Sequence, residues 1–128
     1  MSFFDRLLGS NSEEGNTSNI EWKFLEEVNE LDTVIADSFT KPVIIFKHST
    51  RCSISRFALK QFEREFSFEG KLIPYFLDLL NYRQISNQIA ELFQVEHQSP
   101  QLIVIKDGVV VFHESHGGIQ ASDLKRFV

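Results

Sequence analysis

One short stretch, Val43 to Ile54, constrains the fold of this chain more than any other. It reads VIIFKHSTRCSI and begins with an unbroken run of β-branched and aromatic residues, Val43 to Phe46. Such a run is typical of a strand that is buried on both faces. The apolar residues that follow recur at spacings of three and four: Ile54, Phe57, Ala58, Phe62 and Phe66. This spacing predicts one face of an amphipathic helix.

Cys52 is the only cysteine of the chain, and the pattern places it where the strand ends and the helix begins. Backbone N–H groups at a helix start have no intrahelical partner, and the helix dipole favours negative charge there. We therefore expect these groups to point at the sulfur and to bias it toward the thiolate, the form that attacks disulfides. The alternative is a buried structural cysteine, but the polar and basic neighbours of Cys52 favour the reactive thiol.

Ser55 stands three residues after Cys52, so the motif is C-x-x-S. In a C-x-x-C motif the second cysteine resolves the mixed disulfide within the chain, which a hydroxyl cannot do. A catalytic Cys52 must therefore be monothiol, and an external thiol must take the resolving role. Because the hydroxyl is expected to offer at most one hydrogen bond, we expect Ser55→Ala to leave adduct formation largely intact.

Acidic residues are absent between Ser38 and Phe62, although the whole chain carries a formal net charge of −5. Five basic residues fall in this interval: Lys41, Lys47, Arg51, Arg56 and Lys60. We interpret them as a basic patch that suits a thiol substrate bearing carboxylates, with Arg51 stabilising the thiolate. For Arg56 and Lys60, a solvated helix face is the alternative.

The rest of the chain predicts alternating strands and helices. We interpret residues 1–19 as an N-terminal segment, made of an apolar turn and the flexible linker Gly9 to Asn19, and residues 20–128 as one domain. The apolar turn would comprise Phe3, Phe4, Leu7 and Leu8. The domain is expected to begin with an edge strand within Ile20 to Leu25 and a helix from Val28 to Ser38, whose apolar positions are Val28, Leu31, Ile35 and Phe39.

Later elements complete the order. A strand is predicted at Leu72 to Leu79, where Pro74 indicates a sheet end or edge, and a helix at Tyr82 to Val95. Asp107-Gly108 predicts a hairpin with a type I′ turn. The hairpin strands would be Leu102 to Ile105 and Val109 to Phe112, followed by a last helix from Ser122 or Asp123.

This order predicts an α/β fold, the thioredoxin-like sandwich, with a mixed central sheet of four to five strands and helices on both faces. In that fold the Ser99-Pro100 bond is expected to be cis, with Pro100 in contact range of Cys52 and nearby backbone groups free to pair with substrate. His48 either tunes the thiol or caps the end of the central strand.

Composition argues against several function classes. The acidic balance, with a pI near 5.3, argues against a nucleic-acid partner. No run approaches the ~20 apolar residues of a membrane span, and the first residues, MSFFDRLLGS, lack the apolar core of a signal peptide. A single cysteine indicates a reducing compartment, the cytoplasm. We expect no metal site, because one cysteine and scattered histidines lack the spacing of metal ligands.

The stretches KPVIIFKHSTRCSIS, SNQIAELFQVEHQSPQLIVIKDGVVVF and SHGGI resemble the bacilliredoxin family known as YtxJ, a branch of the thioredoxin-like superfamily. The resemblance covers Ile20 to the C-terminus. It departs from the family at Ser53, where members carry proline. The resemblance implies Cys52 as nucleophile. The residues expected to tune the thiol or bind substrate are His48, Thr50, Arg51, Ser53, Ser55, Ser99 and Pro100.

The resemblance also implies the reaction and its partners. Cys52 would attack the mixed disulfide of a bacillithiolated client protein, release the client thiol and become bacillithiolated itself. Free bacillithiol, an anionic conjugate of cysteine, glucosamine and malate, would regenerate it as co-substrate. A flavin-dependent bacillithiol disulfide reductase would act downstream, and no cofactor would be bound to this chain.

Two alternatives from other classes stay open. Monothiol glutaredoxins with a C-x-x-S motif carry an iron–sulfur cluster between two subunits, and anaerobic reconstitution with a visible spectrum would reveal such a carrier. A non-catalytic interaction module would keep the fold without disulfide turnover.

Overall fold

The computed structural model describes residues 20–128, so the predicted N-terminal turn and linker lie outside the described residues. The described chain contains five strands: β1 (Lys23–Phe24), β2 (Val43–His48), β3 (Ile73–Asp78), β4 (Gln101–Lys106) and β5 (Val109–Ser115). Its α-helices are α1 (Glu30–Asp37), α2 (Ser53–Glu65) and α3 (Arg83–Phe93). Two 3-10 helices, His116–Gly118 and Ala121–Phe127, end the chain.

The strands form one mixed sheet in the order β1-β3-β2-β4-β5. Strand β3 pairs in parallel with both β1 and β2, whereas β4 runs antiparallel to β2 and to β5. The predicted mixed sheet with an edge strand at its start is therefore confirmed. The central strand β2 ends immediately before the turn that carries Cys52.

Each face of the sheet has its own hydrophobic core, because alternate side chains of a strand point to opposite sides. Val43 and Ile45 of β2 pack on one side with Val34 of α1 and Ile89 of α3. We call this side the α1/α3 face. Ile44 and Phe46 pack on the other side, the α2 face, where the buried partners include Ala58, Phe62, Phe66 and Leu124. Helices on both faces therefore hold β2 rigidly in the middle.

Helix α2 presents a different face to the sheet than its apolar residues predict. Its buried residues are Ser55, Ala58 and Phe62, whereas Ile54 is 58% exposed and Phe57 66% exposed. The prediction that Ile54 and Phe57 share the buried face is therefore wrong. The physical reason is that α2 carries two neighbouring apolar stripes, and the one aligned with Ser55 docks on the sheet.

Two strands differ in detail from their predicted extents. Strand β2 continues through Lys47 and His48, both buried, so the polar turn begins at Ser49 and not at His48. Strand β3 is an inner strand, yet its Pro74 meets no partner on the β1 side, since β1 begins only opposite Tyr75. The N–H of Ile73 donates to Pro42 O on the other side, at 2.9 Å. Proline is thus tolerated at an open end of the ladder.

The remaining predictions concern the flanks. Asp107 and Gly108 have φ of 53° and 82°, as a type I′ turn requires. The final helix is a 3-10 helix that starts at Ala121, one or two residues before the predicted start at Ser122 or Asp123. Val28 and Phe39 are exposed, because both lie outside α1, which spans Glu30–Asp37 and buries Leu31 and Val34 instead. No helix within residues 20–128 is long and apolar enough to cross a membrane.

Candidate active site

Cys52 lies between β2 and α2, as predicted, and it is the N-cap residue of α2. The side chain is half-buried. Its backbone N–H donates to Ser49 O at 3.2 Å, and its carbonyl accepts the N–H of Arg56 at 3.0 Å. The sulfur receives no capping hydrogen bond, so the expectation that helix N–H groups point at it is wrong for this rotamer. The helix dipole still favours negative charge at this position.

Ser55, in the first turn of α2, is fully buried beneath the turn that carries Cys52. Its Oγ accepts the backbone N–H of Ser49 at 3.0 Å. The same oxygen lies 2.8 Å from Nδ1 of His48. The expectation of at most one hydrogen bond is therefore wrong, because the buried strand end supplies a second partner. Ser55 ties the helix, the turn and the central strand together.

His48 ends β2 and points to the α2 face, where its ring lies 5.5 Å from the ring of Phe76. Burial lowers the pKa of this imidazole below its usual value, and the Arg56 guanidinium lowers it further, while the Asp78 carboxylate opposes both. The neutral imidazole is therefore favoured, and in its Nε2–H tautomer the Nδ1 atom accepts the proton of the Ser55 hydroxyl. His48 is therefore a buried residue at the end of β2 that hydrogen-bonds Ser55, and its tuning of the thiol stays a prediction.

Asp78 is a site residue that the sequence analysis missed. It ends β3 and stands opposite His48 in the parallel pairing of β2 with β3. Its Oδ2 accepts the side-chain amide of Asn81 at 2.8 Å. Its Oδ1 is buried and has no hydrogen-bond partner among residues 20–128. The sequence did contain a signal for Asp78, a polar residue at the predicted end of the next strand. The carboxyl ends of neighbouring parallel strands lie at the same edge of a sheet.

The outer rim of the site is polar and cationic on one side and apolar on the other. Thr50, Arg51 and Ser53 are exposed, and this exposure is compatible with the substrate contacts predicted for them. The guanidinium of Arg56 donates to Thr50 O at 3.0 Å and holds the turn to the helix. The exposed Ile54 and Phe57 continue the rim along α2.

The predicted basic patch does not form as a unit. Lys47 is fully buried on the α1/α3 face, away from α2. Lys41 precedes β2, and its ammonium donates to Gly70 O at the opposite end of the strand, at 2.9 Å. Only Arg51, Arg56 and Lys60 stay on the side of Cys52, because a strand alternates its faces and separates its two ends.

Lys47 instead forms a buried polar cluster that the sequence analysis did not anticipate. Its Nζ lies 3.3 Å from Nδ1 of His97 and donates to Ser86 O at 3.4 Å. The Ser86 hydroxyl lies 3.1 Å from the same Nδ1. Burial lowers the pKa of Lys47 to about 8. Burial, Lys47 and Arg83 together lower the pKa of His97.

The Ser99-Pro100 peptide bond is cis, as predicted. Pro100 is buried, and its carbonyl accepts the N–H of His116 at 3.0 Å. The Ser99 hydroxyl is buried and has no hydrogen-bond partner within residues 20–128. Contact between Pro100 and Cys52 stays a prediction. Within the described part of the chain, no group of three or more His, Cys, Asp or Glu side chains could hold a metal ion.

Comparison with known proteins agrees with this geometry. The family model described as monothiol bacilliredoxin BrxC matches residues 23–124. A solved structure described as a candidate oxidoreductase with a thioredoxin fold is 33% identical, with a TM-score of 0.69, and the match covers 80% of this chain and 89% of that chain.

More distant structures share the fold alone. Thioredoxin from Malassezia sympodialis is 16% identical with a TM-score of 0.65, over 85% of this chain and 89% of that chain. Thioredoxin O2 from Arabidopsis thaliana is 19% identical with a TM-score of 0.61, over 82% of this chain and 89% of that chain. The predicted thioredoxin-like fold is therefore confirmed.

Proposed function

The chain belongs to the monothiol bacilliredoxin family, and on that premise we propose that it removes bacillithiol from protein mixed disulfides. The coarser activity, that of a thioredoxin-fold thiol oxidoreductase, agrees with both the family and the 33% identical structure. Cys52 is the nucleophile. The reaction takes place in the cytoplasm, where a lone cysteine persists as a thiol.

Two exchange steps complete the cycle. In the first, the Cys52 thiolate attacks the bacillithiol sulfur of the mixed disulfide, a new S–S bond forms, and the client cysteine leaves as a thiolate. In the second, the thiolate of free bacillithiol attacks the adduct, Cys52 leaves as a thiolate, and bacillithiol disulfide is released. The client cysteine is reduced and one free bacillithiol is oxidised, because the bacillithiol of the mixed disulfide is already at the disulfide level. A bacillithiol disulfide reductase then acts on that product.

The observation that carries this proposal is the C-x-x-S motif formed by Cys52 and Ser55. Cys52 is the only cysteine, and Ser55 fills the position of a resolving cysteine with a buried, hydrogen-bonded hydroxyl. Since a hydroxyl cannot displace the adduct, only an external thiol can. Arg51 and Arg56, exposed beside Cys52, favour an external thiol that carries carboxylates, as bacillithiol does.

Intact-mass analysis tests the proposal directly. The protein is incubated with bacillithiol disulfide, and one adduct of bacillithiol is expected on wild-type protein and none on Cys52→Ala. A bacillithiolated client should then be reduced over many turnovers only when free bacillithiol is present. The proposal fails if Cys52→Ala reduces the client at the wild-type rate, or if wild-type protein forms no adduct at any pH.

A further inference from the structure

Three polar side chains from three elements meet on the α2 face beneath the Cys52 turn: Ser55 of α2, His48 of β2 and Asp78 of β3. Ser55 and His48 are buried, and Oδ1 of Asp78 has no partner within residues 20–128. Burying polar groups is costly unless they are fully hydrogen-bonded. Three apolar side chains at these positions would avoid that cost. The three polar side chains therefore indicate a role other than packing.

The hydrogen-bond inventory of Ser55 leaves one site open. A hydroxyl has one donor and two acceptor positions. The N–H of Ser49 occupies one acceptor position, and in the Nε2–H tautomer of His48 the Nδ1 atom accepts the hydroxyl proton. One lone pair is left free. Cys52 is the N-cap of α2 and Ser55 is its third helical residue, so the two residues share the first turn of the helix.

We propose that Ser55 and His48 form a relay that accepts the proton of the Cys52 thiol. This inference rests on the proposed function, in which the thiolate attacks. The S–H bond of Cys52 breaks as its proton joins Ser55 Oγ, while the original hydroxyl proton of Ser55 passes to Nδ1 of His48. A thiolate and an imidazolium result, and nothing is oxidised. The proton returns along the same path to the next thiolate that leaves a disulfide.

The charges around His48 suit a transient proton acceptor. Burial and the Arg56 guanidinium of α2 keep the imidazole neutral at rest, ready to accept at Nδ1. The Asp78 carboxylate of β3 favours the imidazolium once it forms, and so does the new thiolate. His48 acts through Ser55, its hydrogen-bond partner, and is therefore a positioning residue.

The relay requires one local motion. The Ser55 hydroxyl is hydrogen-bonded to His48 and to the N–H of Ser49, not to the Cys52 sulfur, so the side chain of Cys52 must rotate about its Cα–Cβ bond. Such rotamer changes of partly exposed side chains are fast, on the order of picoseconds to nanoseconds. Catalytic hydrogen bonds are commonly formed only once the reactants are in place.

The test is the pH dependence of Cys52 alkylation by iodoacetamide, which involves no bacillithiol. His48→Asn keeps an acceptor for the Ser55 hydroxyl but cannot take a proton, and Ser55→Ala breaks the path. Both variants should react about tenfold slower than wild type near neutral pH. All rates should converge above about pH 9, where solvent hydroxide ionises the thiol without help. Asp78→Asn should lower the neutral-pH rate by less.

Controls separate a relay from a structural effect. His113→Asn, at an exposed position of β5, should follow the wild-type profile throughout. The double variant His48→Asn/Ser55→Ala should be no slower than Ser55→Ala alone, because both act in one path. If Ser55→Ala does not fold, the alkylation rates of His48→Asn and Asp78→Asn are compared with wild type instead.

Two results would overturn the relay. One is a His48→Asn profile that coincides with wild type at every pH, and the other is a loss of rate that persists unchanged above about pH 9. Either result leaves the proposed function standing, provided that bacillithiol disulfide still modifies Cys52. Absence of that adduct in wild-type protein would instead contradict the proposed function, whatever the alkylation profile.

Discussion

The ammonium of Lys47 lies 3.3 Å from Nδ1 of His97, and both are held on the α1/α3 face of the sheet. Lys47 is fully buried, and no carboxylate within residues 20–128 pairs with it. Its remaining contact is the carbonyl of Ser86. A charged ammonium without a counter-ion is costly to bury, so this strand position works against the stability of the fold when Lys47 is protonated.

The first prediction is that Lys47→Met stabilises the protein at neutral pH. Burial lowers the pKa of Lys47 from 10.5 to about 8, so the unfolded state binds more protons between those values. The stability of wild-type protein should therefore rise as pH increases from about 8 to about 10.5. At pH 7 the burial of the charge costs on the order of 3 kcal/mol, an upper bound on the gain from Lys47→Met.

Urea unfolding at pH 7 and at pH 10 measures this effect. The Lys47→Met protein should show the larger gain at pH 7 and a flatter pH dependence. Lys60→Met, at an exposed position of α2, serves as control and should change neither. A Lys47→Met protein that is less stable than wild type at pH 7 would show that the hydrogen bonds to Ser86 and His97 outweigh the buried charge.

Local sequence patterns predicted the strand–helix junction, the hairpin and the cis Ser99-Pro100 bond, because each depends on neighbouring residues or on the fold type. They did not predict which stripe of α2 faces the sheet. Ile54 and Phe57 satisfy helical spacing as well as Ala58 and Phe62 do. Which of the two stripes packs on the sheet depends on the hydrogen bond between Ser55 and His48 at the end of β2.

The other missed features are contacts between distant strands. Asp78 stands beside His48 only because β3 pairs in parallel with β2, and Lys47 reaches His97 only because the chain after α3 returns over the α1/α3 face. Neither partnership is encoded within one window of sequence. For the same reason, five basic residues that are close in sequence are divided between two faces and two ends of one strand.

The second prediction compares two phenylalanines of α2. Phe57 is 66% exposed, whereas Phe62 is 1% exposed. Phe62→Ala should destabilise the protein by about 3–5 kcal/mol, because it leaves a cavity in the core of the α2 face. Phe57→Ala should change the free energy of unfolding by less than about 0.5 kcal/mol. Equal losses in urea unfolding would contradict the helix orientation described above.

The third prediction is that Ser55→Cys converts the site to dithiol chemistry. The new sulfur takes the resolving position in the first turn of α2, and it can expel an adduct from Cys52 by forming an internal disulfide. After exposure to bacillithiol disulfide, intact mass should show the loss of two hydrogens and no accumulated adduct. Ser53→Cys, one residue after the nucleophile and exposed, is the control. A stable adduct on Ser55→Cys would show that the two sulfurs do not meet.

The last prediction concerns Ser53, where the resembling family carries proline. Ser53 is the first residue of α2, and its N–H has no partner within the helix. Proline is favoured at this position, and it restricts the preceding residue to extended backbone. Cys52 already has φ of −107° and ψ of 121°. Ser53→Pro should therefore fit without moving the nucleophile and raise stability by about 0.4–1 kcal/mol, since it restricts the unfolded chain.

The matched control for Ser53→Pro is Ile54→Pro, which moves the proline to the next residue of the helix, also exposed. There the preceding residue, Ser53, is helical, and proline disfavours that conformation. Ile54→Pro should therefore destabilise the protein, while Ser53→Pro should keep the wild-type rate of adduct formation. Urea unfolding and intact-mass kinetics measure both effects. If Ser53→Pro loses more than about 1 kcal/mol, the backbone of the Cys52 turn differs from the one described.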